Sequence, residues 1–188
     1  MRLFVAMDIP EATRAALSDL TTRLKTNFPA ARWVNLAGVH ITLRFIGEVP
    51  AEKLDKIRQA LGSLLSFPPI NLRFAGLGFF PNARRPRVLW AGVEAAPQLA
   101  QLAAAIEDAL APLGIPAENR DFHPHLTLAR FESPRESQGI GVTIESLGTP
   151  DFGGALSSEF HLYQSVLKRS GAEYTRLVTY PLQGELTP

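Results

Sequence analysis

One short motif, written twice, constrains this chain more than any other feature. His40-Ile41-Thr42-Leu43 recurs as His125-Leu126-Thr127-Leu128, 85 positions later. The chain holds only 4 His among 188 residues. With 11 Thr and 26 Leu in the same chain, two His-x-Thr-Leu runs arise by chance roughly four times in ten thousand. Each copy sits in a strand-like run, where residues two apart share a face. His and Thr of each copy therefore point one way. Ile41 with Leu43, and Leu126 with Leu128, point the other way into a core. A duplicated strand implies a duplicated half-structure. Two halves facing each other across a cleft would gather two imidazoles and two hydroxyls around one small group.

The rest of the chain supplies the scaffold for such a pair. Leu3 to Ile9 reads as a strand, and Pro10 then opens a helix near Glu11 to Asn27 with Leu17, Leu20 and Leu24 at helical spacing. Arg32 to Leu36 and His40 to Ile46 read as short strands joined at Gly38. A second helix runs from Pro50 to about Leu65, with Leu54, Ile57, Leu61, Leu64 and Leu65 on one side. Ile70 to Phe80 and Val88 to Val93 form a hairpin whose connection carries Arg84, Arg85 and Arg87. A third helix spans about Pro97 to Leu113. Strands are expected at His125 to Phe131, Gly141 to Leu147, Glu159 to Leu167 and Tyr174 to Pro181. Pro134 to Gly139 and Thr149 to Ser158 read as loops. Three helices among many strands, without regular βαβ alternation, predict an α+β fold with helices packed on antiparallel sheets. No linker divides the chain, so residues 1–188 are read as a single domain.

Composition narrows the setting. Apolar residues make up 46% and charged residues 20%, which excludes disorder throughout, and no apolar run nears the ~20 residues that span a bilayer. The absence of cysteine excludes disulfides, thiolate zinc sites and a cysteine nucleophile. With no export signal in the sequence, a cytoplasmic location is expected. The net charge of +1 hides a split: residues 1–94 carry 13 basic and 7 acidic groups, residues 95–188 carry 6 and 11. Of the 19 basic residues 15 are Arg, whose planar fork suits phosphate oxygens. The basic half thus permits contact with a polyanion.

Imidazole titrates near 6.5, so at neutral pH one of a pair can serve as base and the other as acid. Threonine hydroxyls add short, uncharged hydrogen bonds to an oxyanion. A phosphodiester between the two histidines then has what in-line attack requires: base on one side, acid on the other, donors around the remaining oxygens.

On these residues the chain resembles the 2H phosphoesterase superfamily, which takes its name from paired His-x-Thr-x motifs. Within it the sequence is similar to the bacterial and archaeal RNA 2′,3′-cyclic phosphodiesterases, long called 2′-5′ RNA ligases. The resemblance covers nearly the whole chain. It rests on Arg2-Leu3-Phe4-Val5-Ala6 with Asp8, on Val39 to Val49 around the first motif, on Pro86-Arg87-Val88-Leu89-Trp90-Ala91-Gly92, and on Pro124 to Arg130 around the second. His123 departs from the family pattern. The resemblance implies a bilobal α+β fold of two pseudo-symmetric antiparallel-sheet lobes, helices outside and a cleft between. It implies metal-independent hydrolysis of an RNA terminal 2′,3′-cyclic phosphate to a 2′-phosphomonoester, without a cofactor. His40 would be the proton donor and His125 the proton acceptor; sequence alone does not fix that polarity. Thr42, Thr127 and Arg130 would bind the phosphate. Run backwards, the same site would join RNA ends through a 2′-5′ bond. A monomer acting on RNA with a 2′,3′-cyclic phosphate end, without membrane or obligate protein partner, is expected.

Some residues carry competing readings. Strict alternation puts Arg130 out of phase with His125 and Thr127, unless a bulge corrects it. Arg44 has the parity of His40 and Thr42 but also reads as a solvated residue at a strand end. Arg84, Arg85 and Arg87 read either as a polar hairpin loop or as steering for RNA, and His161 reads as structural. Phe45, Phe79, Phe80 and Trp90 are candidates to stack on a base or to fill the core. Asp121, His123 and His125, spaced by two, would give a metallohydrolase if presented on one extended face. A non-catalytic RNA-binding module built on the basic half is the other alternative.

Overall fold

The apolar first strand threads the middle of one sheet. In the computed structural model, which describes residues 1–95, 97–119, 121–168 and 171–184, β1 (Arg2–Asp8) buries Leu3, Val5 and Met7 completely. Then come α1 (Glu11–Asn27), the two-residue β2 (Arg32–Trp33) and β3 (His40–Glu48). They are followed by α2 (Leu54–Gly62), β4 (Ile70–Phe80) and β5 (Val88–Ala95). The rest is α3 (Gln98–Leu110), β6 (His125–Arg130), α4 (Ile140–Ser146), β7 (Asp151–Ser157), β8 (Glu159–Lys168) and β9 (Gly171–Pro181). Short 3₁₀ turns at Leu36–Gly38, Ala51–Lys53 and Ala111–Leu113 complete the connections.

The strands form two antiparallel sheets, one ordered β3-β1-β8-β9 and the other β2-β6-β5-β4-β7. Apart from β2 the orders match position for position: β3 with β6, β1 with β5, β8 with β4, β9 with β7. The 85-residue offset between the motifs therefore runs through the fold, carrying β1 onto β5, α1 onto α3, β3 onto β6 and α2 onto α4. This is the expected α+β architecture of two related lobes. The lobes interleave in sequence, because β8 and β9 return from the end of the chain to the sheet that begins it.

Each sheet sends one face to the helices. Leu17, Leu20 and Leu24 of α1, Ile57 and Leu61 of α2, and Leu99, Leu102, Ile106 and Leu110 of α3 enter one continuous core with the inward residues of both sheets. Each such side chain, fully buried, contributes roughly 1.5–3 kcal/mol. Phe4, Ala6 and Tyr163 form a separate small cluster on the other face of the first sheet. That face looks into the cleft.

Three expectations need correction. Residues 141–147 are not a strand: α4 is a helix, with Ile140 and Ile144 buried one turn apart. Residues 149–158 are not a loop throughout: β7 pairs along β4 as the sheet's edge. The strand expected at Arg32 to Leu36 is only β2, after which the chain turns into a 3₁₀ segment.

Candidate active site

Both motifs open a strand, and both strands carry the same irregularity. In β3, Ala6 pairs with Thr42 and Val5 with Arg44, so Leu43 bulges out of the ladder. In β6, Trp90 pairs with Thr127 and Leu89 with Ala129, so Leu128 bulges in the same way. A bulge makes two successive residues face the same way. Leu43 and Arg44 both point inward, as do Leu128 and Ala129. The residue after each pair returns to the cleft, which places Phe45 and Arg130 in equivalent positions. The parity objection to Arg130 is thereby answered by the backbone.

His40, Thr42, His125, Thr127 and Arg130 line one cleft of about 420 Å³, together with Phe45. The five residues singled out by the sequence are brought together. Cα atoms of β3 and β6 come within 8 Å of one another. Each imidazole is pinned alike. His40 Nδ1 bonds the Gly38 carbonyl at 2.8 Å and His125 Nδ1 bonds the His123 carbonyl at 2.7 Å. A carbonyl can only accept, so Nδ1 carries the proton and Nε2 is the atom left to exchange one. Burial pulls both histidines below the usual imidazole value. The Gly38 bond and the Asp8 charge pull His40 partly back up. At His125 the His123 carbonyl does the same, while the nearby Arg130 charge pushes further down.

Aromatic rings hold the imidazoles in place. Phe4 stacks on His40 at 4.6 Å between centroids and Tyr174 meets it edge-on at 5.2 Å. Phe80 meets His125 edge-on at 4.8 Å, with Trp90 at 6.5 Å. Phe80 and Trp90 are thus supports of the site. Phe45, 42% exposed with the Arg2 guanidinium 4.9 Å over its ring, is the open aromatic surface. Sequence reasoning missed Phe4, Tyr174 and Asp8. Asp8 accepts from Tyr163 Oη at 2.6 Å and pairs with Arg176, and the Tyr163 ring stacks on Phe4 in turn.

Other candidates fall elsewhere. Arg44 is not solvated: only 6% exposed, it forms an ion pair with Glu107, lies 3.6 Å from Glu118, and donates to the Phe45 carbonyl. His161 is fully buried, with Nδ1 3.1 Å from the Thr179 hydroxyl, and does not line the cleft. Among the described residues no three His, Asp or Glu side chains converge as a metal site, so Asp121, His123 and His125 do not form the alternative triad. No helix among those residues is long and apolar enough to cross a membrane.

Paired His-x-Thr strands, in matching positions of two sheets and lining one cleft, are the arrangement for which the 2H phosphoesterases are named. Residues 9–140 match the model of the 2′-5′ RNA ligase superfamily, and the chain belongs to that family. An RNA 2′,3′-cyclic phosphodiesterase from Archaeoglobus fulgidus is 34% identical over 177 residues, covering 94% of this chain and 98% of the relative. A crystal structure of a Thermus thermophilus protein superposes with a TM-score of 0.83 at 33% identity, covering 99% of this chain and 100% of that one. E. coli LigT in complex with phosphate superposes with a TM-score of 0.70 at 30% identity, covering 96% of each.

Proposed function

We propose that the chain, as one two-lobed domain, hydrolyses the 2′,3′-cyclic phosphate at the end of RNA to a 2′-phosphomonoester, as a cytoplasmic monomer and without a metal ion. The observation that carries the reading is the pair of imidazoles lining one cleft, each with Nδ1 bound to a backbone carbonyl and Nε2 left for proton exchange. The names borne by the relatives support the substrate class, and a neighbour of this fold, E. coli LigT, has a structure in complex with phosphate, which supports a phosphate ligand.

In this reading the cyclic phosphate sits between the two histidines. His125 Nε2 takes a proton from water as the water oxygen bonds to phosphorus. The bond from phosphorus to the 3′-oxygen breaks, and His40 Nε2 delivers a proton to that oxygen. The 2′-ester bond survives. Thr42 and Thr127 donate to the non-bridging oxygens, and Arg130 balances the charge that grows on them. Both imidazoles are held before substrate arrives, so little reorganisation of the acid–base pair is needed at the barrier. With an RNA 5′-hydroxyl in place of water as the nucleophile, the same residues would join the cyclic end to it through a 2′-5′ bond, and abundant water keeps that reaction minor.

The test is incubation of the purified protein with a 2′,3′-cyclic mononucleotide in excess chelator, with the product assigned by phosphorus NMR. A 2′-monophosphate is expected. No turnover, or turnover only on adding a divalent metal, would overturn the reading.

A further inference from the structure

A second basic feature lies beside the cleft. The β4–β5 connection and the segment after β6 enclose an open groove of about 950 Å³, lined by Arg84, Arg85, Arg87 and Arg135, with Ser133 and Gln138 among the polar groups between them. No carboxylate lines it. The nearest acids are engaged elsewhere. The Glu136 carboxylate accepts from the Glu132 amide at 2.7 Å and from the Ser133 hydroxyl at 3.1 Å, and Glu132 lies 3.8 Å from Arg32. Arg87 donates to the Glu132 carbonyl at 2.7 Å and so ties the two walls together. Among the described residues Arg84, Arg85 and Arg135 make no ion pair, and all three are exposed.

The loop that presents them is ordered by its own backbone. Asn82 Oδ1 accepts from the amides of Arg84 and Arg85 at 3.0 and 3.1 Å, and the Arg87 amide donates to the Phe80 carbonyl at 2.7 Å. A solvated loop has no need of like charges gathered in one concavity, where they repel one another. An anionic occupant removes that repulsion.

The groove also has a fixed relation to the cleft. Val88 pairs with Arg130, and the Phe131 amide donates to the Arg87 carbonyl at 3.0 Å. Arg130 is thus the last cleft residue on β6, and the groove wall begins a few residues beyond. From His125 to Arg130 is roughly 17 Å of strand, or about five stacked nucleotides at 3.4 Å each.

We propose that this arginine groove binds the backbone phosphates of the RNA strand upstream of its cyclic end. The inference rests on the reading of the cleft given above, and makes the groove the determinant of preference for oligonucleotides over mononucleotides. The partner is single-stranded RNA, because the groove continues from the strand that carries the cleft residues, its guanidiniums are spread over two loops, and no aromatic ring lines it to stack on a base. Contacts of this kind track charge rather than sequence, so no base preference is expected from the groove.

The experiment compares wild type with a triple variant, Arg84→Ala, Arg85→Ala and Arg135→Ala. Arg87 is left intact because it holds the loop. Two substrates are used: a 2′,3′-cyclic mononucleotide, and a single-stranded RNA decamer with the same cyclic end. Decamer binding is also followed directly by fluorescence anisotropy, which needs no turnover. Mononucleotide kcat/KM should be unchanged in the variant. Decamer Kd should rise at least about fivefold at low salt, and the slope of log K against log salt should flatten by about two. Lysine at the same three positions should restore most of the slope. Decamer binding unchanged in the triple variant, in affinity and salt slope, would overturn the inference whatever the mononucleotide assay gives. Failure of wild type to hydrolyse the mononucleotide would instead count against the reading of the cleft.

Discussion

Single residues divide sharply, because one face of each motif strand lines the cleft while the other is buried and holds the lobe together. His40→Ala and His125→Ala should each lower kcat by at least about a hundredfold, the usual worth of a positioned proton transfer, with a smaller change in KM. Thr42→Ala and Thr127→Ala should cost less, each removing one neutral donor. Steady-state kinetics on a cyclic mononucleotide checks all four, and a His variant near wild-type rate would remove that histidine from the mechanism. Arg44 belongs to the other class. Its guanidinium is 6% exposed and meets Glu107 and Glu118, which tie β3 to α3 and the segment after it. Arg44→Ala removes a buried guanidinium and its bonds to the Phe45 and Pro116 carbonyls, while Glu107 and Glu118, both partly exposed, stay within reach of water, so it should cost about 1–3 kcal/mol in denaturant unfolding. At a temperature where the variant is folded, its kcat should stay within a few-fold of wild type.

Elements explain why parts of this architecture were legible in the sequence and parts were not. The motif strands and the amphipathic helices were readable because their apolar spacing is strong: Leu17, Leu20 and Leu24 sit where a 3.6-residue repeat puts them, and all three are buried. The pairing of His40 with His125 was readable because the motif is repeated. α4 was not, because Val142, Thr143 and Ile144 favour a strand intrinsically, and burial of Ile140 and Ile144 on one side overrides that preference. The repeat held the missing signal: α2 at 54–62, moved by the 85-residue offset, falls on 139–147. β7 was hidden by Gly153 and Gly154. A Cβ on Gly154 would lie 2.5 Å from the Leu72 carbonyl oxygen, so its close pairing with β4 requires the residue that makes it look like a loop. Arg44 was misread because a bulge breaks the alternation that parity arguments assume. Phe4 and Tyr174 were invisible as supports of His40, since they reach it only through the packing of strands from separate parts of the chain, 36 and 134 residues away. Gly78 gives an element-scale test. Its absent side chain lets Trp90 lie flat on β4, and a Cβ there would come 2.2 Å from the indole. Gly78→Ala should therefore push Trp90 toward Phe80 and His125. The expected result is a loss of about 1–3 kcal/mol, a shifted tryptophan emission, and a kcat deficit larger than mononucleotide KM would suggest. An unchanged spectrum and rate would mean that Trp90 does not support the site.

At the scale of the whole molecule, the fold makes the protein sensitive to acid in two separable ways. His40, His125 and His161 all lie below the ordinary imidazole value of 6.5, each chiefly because burial disfavours the cation. In the unfolded chain they titrate near 6.5 and take up protons before the folded protein does. Stability should therefore be flat above about pH 6.5, with respect to these groups, and should fall as pH drops below it, since the unfolded state then binds more protons. Urea midpoints across that range should show the slope, and His161→Gln should reduce it without touching the cleft. Catalysis obeys a different rule. The proposed mechanism requires one imidazole of the free enzyme neutral and the other charged, and two depressed values place that state below pH 6.5. The profile of kcat/KM, which reports the free enzyme, should be a bell with its maximum there. A phosphate anion bound between the rings favours the imidazolium at either ring, so both limbs of the profile of kcat, which reports the complex, should move to higher pH. Because the two sites are coupled, the limbs belong to the pair rather than to either residue. The measurement is both profiles on a cyclic mononucleotide at constant ionic strength. A kcat/KM maximum well above neutrality, or two superimposable profiles, would contradict a burial-depressed histidine pair completed by the substrate's own charge.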